Sequence, residues 1–165
     1  MTTIKDFRYR VDASTLPRRR VRLTCDGRPA LEAATPPEFR GGTPGIWTPE
    51  DLLAAAVASC YALTLEAIGD RRQLGLRQVD VSAVAHVTRR AEGRLGFVVI
   101  ELRVNVTVEA GHEAAAEHAA HDAHHACLVT HALDVPVELE LTVRSDDGVA
   151  RGQSVAARTE RTSSH

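Results

Sequence analysis

Apolar and polar positions alternate along several stretches of the chain, the period expected of half-buried strands. Phe7, Tyr9 and Val11 alternate with polar neighbours, as do Val21, Leu23 and Cys25 with Arg20, Arg22 and Thr24. Asp26-Gly27 predicts a turn leading to a short strand near Leu31 and Ala33. From Thr35 to Trp47 the chain is too rich in proline and glycine for regular structure and reads as an ordered loop or lid. The pattern then changes to helical spacing. Thr48 suits an N-cap, Pro49 the first helical position, and Glu50 and Asp51 complement the positive end of the macrodipole. Leu53, Ala56, Val57, Cys60, Thr64, Ala67 and Ile68 follow on one stripe, and Gly69 is expected to close the helix.

Alternation returns at Val79, Val81, Ala83, Ala85 and Val87, and again at Ile100, Leu102, Val104, Val106 and Val108. Ala91-Glu92-Gly93 joins these as a long antiparallel hairpin, whose Glu101, Arg103, Asn105 and Thr107 predict one solvated face. His112 to Ala126 predicts an alanine-rich helix with a small face, Ala116, Ala119, Ala120 and Ala123, against which another helix can approach closely. Cys127 starts a shorter helical stretch, Leu128 to Leu133, and Val135, Val137, Leu139, Leu141 and Val143 form the last strand. The expected order is β-β-β-α-β-β-α-α-β, an α+β fold with antiparallel sheets around central helices. It forms a single domain over residues 1–145, and residues 146–165 read as a mobile tail.

Composition narrows the function. The 165 residues carry 20 Lys and Arg against 22 Asp and Glu, a formal charge of -2. Nothing in that balance marks a nucleic-acid or membrane-surface binder. No apolar run of membrane-spanning length is expected, and the polar residues after Met1 predict no leader, so the reading is cytoplasmic.

Three cysteines cannot all pair within one chain. Cys60 falls on the apolar stripe of the first helix, where a cysteine is most often a small hydrophobe. It gains chemical meaning only if Cys127 meets it, which requires the two helices to pack together. A buried thiol is a poor nucleophile unless a cation or a helix N-terminus holds the thiolate. Cys127, between two helices, has a helix N-terminus at hand. Cys25, on a strand with Val21 and Leu23, is assigned to the core. Glu50 lies so far before Cys60 on the same helix that the rise is ~15 Å. If it acts there, it comes from a second subunit or from a bent helix start; otherwise it is an ordinary first-turn acid. His118, His121 and His125 share a helical face, near His124 and His131, but carboxylate or thiolate partners at structural-zinc spacing are missing. A solvated face without metal is expected. The run Arg18, Arg19, Arg20 with Arg22 reads by default as solvated and strand-flanking.

PPEFRGG, followed by WTPEDLLAAAVASCYALTL and later by ACLVTHAL, resembles the OsmC/Ohr family of bacterial thiol-dependent peroxidases, from about Arg8 to Arg144. The resemblance implies an intertwined homodimer with sites composed from both chains. It matches Cys60 to the peroxidatic cysteine, Cys127 to the resolving cysteine and Glu50 to the acid that positions a catalytic arginine. Arg18 is the nearest match to that arginine, with Arg19, Arg20 and Arg40 as rivals, because the usual preceding glycine pair is absent. Leu128, where many members have proline, places the chain in the general OsmC-like branch. The implied activity is reduction of organic hydroperoxides through a Cys60 sulfenic acid and a Cys60–Cys127 disulfide, recycled by a dithiol such as a lipoylated protein, with no cofactor. Phe39, Ile46 and Trp47 suit an alkyl substrate. Two rival readings are a non-catalytic OsmC-like binding or redox-sensing protein and a His/Cys metal-binding module.

Overall fold

The computed structural model describes residues 6–147 and 150–152, and the chain divides into two compact units, Met1–Leu52 and Leu53–His165. The first holds strands β1 (Asp12–Leu16), β2 (Arg20–Thr24) and β3 (Leu31–Ala34) in an antiparallel sheet of that order. Helix α1 (Pro49–Arg72) starts in the first unit and continues into the second. The second unit adds β4 (Leu76–Arg89), β5 (Leu95–Val108), α2 (Glu113–Ala126), α3 (Leu128–Ala132), β6 (Val137–Ser145) and β7 (Ala150–Gly152). Its sheet runs β4-β5-β6-β7. The α+β class and the expected element order are observed, with β7 added. That strand lies inside the stretch read as a tail, as does the turn at residues 146–147, where the Asp146 N–H donates to the Val108 carbonyl; residues 148–149 and 153–165 of the stretch lie outside the described residues.

In the first unit, Phe7, Tyr9 and Val11 precede β1 rather than forming it, and all three are exposed. Their alternation has no buried face to match in this chain. The tip joining β1 to β2 places Arg18 (φ 62°) and Arg19 (φ 53°) in the left-handed region, which costs roughly 1–2 kcal/mol per non-glycine residue. Asp26-Gly27 makes the predicted turn, with Gly27 at φ 70° and the Arg28 N–H donating to the Cys25 carbonyl at 3.1 Å. Cys25 itself is just beyond β2 and only half-buried. Its sulfur accepts from the Arg28 guanidinium at 3.3 Å, so the core assignment does not hold. The loop that follows β3 is pinned by Ala34 N–H to the Trp47 carbonyl (2.8 Å) and Thr43 N–H to the Thr35 carbonyl (3.1 Å).

α1 is capped as predicted. The Asp51 N–H donates to Thr48 Oγ1 (3.1 Å) while Asp51 Oδ2 accepts from the Thr48 N–H (2.9 Å), the reciprocal arrangement of a capping box with aspartate in the third position. Gly69 does not end the helix. It is buried where a Cβ would lie 2.3 Å from Leu76 Cδ1, so its value is close approach to β4. The helix stops three residues later, where Gln73 adopts φ 53°, Leu74 N–H returns to the Gly69 carbonyl and Gln73 N–H to the Asp70 carbonyl, the bonds of a Schellman motif. By length and composition α1 is long and apolar enough to cross a membrane, contrary to the expectation of no such run. Val57, Tyr61, Leu65 and Ile68 nevertheless pack into the core of the second unit.

That core lies between α1, α2 and one face of the sheet. Ile100, Leu102, Val104 and Val106 of β5 stand in register with Val137, Leu139, Leu141 and Val143 of β6, and all eight are buried. Their neighbours Arg103 and Glu140 pair on the opposite face at 3.0 Å, giving the solvated side the alternation predicts. β5 and β6 are parallel, a departure from the all-antiparallel expectation. The reason is that α2 and α3 connect them, and a helical crossover returns the chain in the same direction. Fully buried Ala116, Ala119, Ala120 and Ala123 form the small face of α2. They admit Tyr61, whose hydroxyl donates to the Ala120 carbonyl at 2.9 Å.

Candidate active site

The Tyr61 hydroxyl on the Ala120 carbonyl and the Arg72–Asp122 pair tie α1 to α2, and the thiols of Cys60 and Cys127 lie near enough to influence each other's protonation. Cys60 is half-buried at the edge of the α1 stripe, whose centre is Tyr61 and Leu65, and Cys127 is fully buried between α2 and α3. Burial pushes the Cys60 thiol up, but the N–H groups of Val129 and Leu128 and the Cys127 thiol act against it, and the net effect is downward; the Thr64 hydroxyl beside it donates to the Cys60 carbonyl at 2.7 Å. The Cys127 thiol goes the other way: burial and the neighbouring Cys60 raise it, against the opposing bonds from Thr130. Of the amides at the start of α3, those of Leu128 and Val129 therefore serve Cys60, while that of Thr130 serves Cys127, as its position between two helices predicts, without outweighing burial. The signal in the sequence was incomplete because the start of α3 could be located, whereas the direction of its N–H groups could not.

Burial, aided by Cys127, also raises the Tyr61 phenol well above its ordinary value, so Tyr61 is a neutral packing and hydrogen-bonding group. Glu50 sits in the first turn of α1, where Asp51 rather than Glu50 makes the cap. Its Oε2 is buried and has no hydrogen-bond partner among the described residues. A carboxylate oxygen left in this way requires a donor from elsewhere, such as a guanidinium.

The four arginines weighed for that role differ in what already holds them. Arg19 donates to the Arg40 carbonyl at 2.6 Å. Arg20 meets Glu32 at 3.4 Å and the Pro17 carbonyl, and Arg22 also meets Glu32. Arg18 is exposed, and its guanidinium has no partner among the described residues; the Arg40 guanidinium is in the same condition.

Among the described residues no group of three or more His, Cys, Asp or Glu side chains is placed to hold a metal ion. His118 and His125 are exposed and His121 half-buried, a solvated face. His124 departs from it: it is buried, and its Nδ1 has no partner among the described residues. Burial, reinforced by His125, His121 and His131, lowers its pKa. A cleft of about 520 Å³ beside it is lined by His124, His125, His131 and Asp134, and the His131 ring contacts the His125 carbonyl.

Residues 42–142 match the model of the OsmC-like protein family. The chain belongs to that family. Solved structures agree. An OsmC-like protein of unknown function from Vibrio cholerae is 19% identical, with a TM-score of 0.71 over 80% of this chain and 98% of that one. An organic hydroperoxide resistance protein from Legionella pneumophila is 25% identical, with a TM-score of 0.63 over 83% of this chain and 96% of that one. The organic hydroperoxide resistance protein of Bacillus subtilis is 23% identical, with a TM-score of 0.61 over 82% and 98%. No curated protein matches the chain. Two of these structures carry hydroperoxide resistance in their names.

Proposed function

We propose that this OsmC-like protein is a cytoplasmic, thiol-dependent peroxidase for organic hydroperoxides. The observation that carries the reading is the setting of Cys60: a half-buried thiol lowered by the amides of Leu128 and Val129 and in contact with a second, more buried thiol. The Cys60 thiolate attacks the distal oxygen of the hydroperoxide. The O–O bond breaks, the alkoxide leaves as an alcohol after taking a proton, and the sulfur becomes a sulfenic acid. Cys127, deprotonated as it attacks, displaces that oxygen as water and forms the Cys60–Cys127 disulfide. A dithiol, a lipoyl group on a protein being the family's type, reopens it by exchange and leaves as its own disulfide.

We assign Arg18 as the cation that faces the thiolate, oriented by Glu50, because Glu50 holds a buried oxygen in need of a donor, Arg18 holds an uncommitted guanidinium, and of the two uncommitted arginines Arg18 rather than Arg40 is the nearest match to the family's arginine. The working unit is an intertwined homodimer whose sites draw on both chains. Support comes from the first unit, where the sheet buries little beyond Ala33 and Ala34 while Phe7, Tyr9, Val11, Phe39 and Trp47 stay exposed. A three-stranded sheet with so small a core needs another surface to cover it. Phe39 and Trp47 are also suited to an alkyl substituent.

The test is a peroxidase assay with dihydrolipoamide, comparing cumene or tert-butyl hydroperoxide with hydrogen peroxide. Turnover that favours the organic substrates and disappears in Cys60→Ser supports the proposal. Equal, slow oxidation of all three peroxides, unchanged in Cys60→Ser, refutes it.

A further inference from the structure

The tip of the β1–β2 hairpin is Pro17-Arg18-Arg19, and both arginines occupy a backbone conformation that side chains disfavour. Nothing local to the hairpin explains this, since a three-residue connection ordinarily takes glycine at such a position. Besides the Arg20 guanidinium on the Pro17 carbonyl at 3.4 Å, what holds it is the neighbouring loop, residues 35–47, and the contacts with that loop run through Arg19. Its carbonyl accepts the Thr35 N–H at 3.2 Å. Its guanidinium donates to the Arg40 carbonyl at 2.6 Å. Its side chain crosses Gly41 so closely that a Cβ there would lie 3.1 Å from Cδ and 3.2 Å from Nε. Gly41 itself is at φ 80°, and Gly42 passes so near the Pro36 carbonyl that a Cβ would meet the oxygen at 2.0 Å, so this stretch of the loop has little room to drift.

We infer that Arg19 is a positioning residue: it rivets the hairpin tip to the 35–47 loop and so fixes the direction in which the adjacent Arg18 guanidinium is presented. Glycines at the tip would make the turn effortlessly but would leave an arginine beside them free to swing. This chain has arginines in the turn and ties one of them down through both backbone and side chain. The neighbour that remains untied is the one available for the thiolate. The inference rests on the proposed role of Arg18, and the experiment separates the two.

Arg19→Gly is the informative substitution, because glycine accepts the left-handed backbone, keeps the carbonyl that takes the Thr35 N–H and removes the side-chain half of the rivet. Gly41→Ala is the companion, since it keeps Arg19 and crowds its side chain from the other side. The readouts are the pH dependence of Cys60 alkylation by iodoacetamide, the rate of cumene hydroperoxide reduction, and the thermal midpoint. The expected result is that Arg19→Gly leaves the midpoint within a few degrees, moves the Cys60 titration to higher pH and slows reduction about tenfold. Gly41→Ala should do the same more weakly, and Arg19→Gly should add nothing once Arg18→Ala is present. If Arg18→Ala shifts the titration and Arg19→Gly does not, the rivet is overturned and the role of Arg18 stands. If Arg18→Ala is harmless while Arg19→Gly is severe, Arg19 is itself the cation and the positioning role is wrong. If neither moves the Cys60 titration, the assignment of Arg18 fails and takes this inference with it.

Discussion

Cys60 and Cys127 share a neighbourhood but differ in what donates to them, and the amides at the start of α3 tip the balance toward a thiolate at Cys60. Labelling with iodoacetamide across the pH range, read by peptide mass spectrometry, should therefore find Cys60 reacting at lower pH than an ordinary free thiol and Cys127 at higher pH. A single equivalent of cumene hydroperoxide should then give a Cys60–Cys127 disulfide and leave Cys25 reduced. A dominant bridge to Cys25 would end the pairing. Arg18→Ala should cost at least ~10²-fold in the rate of peroxide reduction, and Glu50→Ala less, because the acid acts through the arginine. The triple replacement of His118, His121 and His125 by Gln should leave that rate nearly intact, since these rings face solvent or lie at its edge. At this scale the residue types and spacings offered Cys60, Cys127 and Glu50 as candidates, and the family resemblance gave them roles; what the structure adds is the nearness of the two thiols and the unpartnered oxygen of Glu50. The buried state of His124, amid imidazoles that are solvated, was not legible, because helical spacing gives the face of a helix but not how far a neighbouring loop covers its margin.

Among the elements, α2 carries the clearest pH sensitivity. The folded-state pKa of His124 lies below its unfolded value of ~6.5, so the folded chain binds fewer protons there. Its contribution to stability is full above that unfolded value and is lost as pH falls through the folded one. Urea midpoints measured downward from neutral pH should decline through this window, and His124→Gln should flatten the decline. Asp122, exposed and lowered mainly by its bond to Arg72, acts only at more acid pH, near and below the ordinary carboxylate range, so the two are separable. On α1, Gly69→Ala should destabilise by about 1–3 kcal/mol through overpacking against Leu76, and Thr48→Ala by ~1 kcal/mol through loss of the cap, both measurable by denaturant titration. The contrast between these two residues explains what could be read in advance. Thr48 acts within its own turn and its signature is local. Gly69 answers to Leu76 on the next strand, so a reading from local signals mistook a packing glycine for a helix stop. The direction of β6 is a similar case: its alternation was plain, but its orientation against β5 depends on the crossover through α2 and α3.

For the whole molecule, the exposed aromatic residues of the first unit call for a partner surface. Sedimentation equilibrium should find a dimer at working concentrations, and peroxidase activity should fall in step with dissociation on dilution; a fully active monomer would contradict this. Phe7, Tyr9 and Val11 fit the same picture, since an alternating pattern that stays exposed within one chain is what a surface completed by a second copy would look like. The interior position of β5, with β4 bonded along one edge and β6 along the other, has a different consequence. Its amide hydrogens at Leu102, Val104 and Val106 have no neighbouring edge through which to reach solvent, so they can trade for deuterium only when the entire unit opens. The turn at 90–94, held by Arg90 and Gly93, can open by itself. Deuterium uptake along this one strand thus ranges from local breathing at its start to global unfolding at its middle, and a slowing at Leu102 on adding a dithiol or a peroxide would report ligand-linked stabilisation without any label on the cysteines.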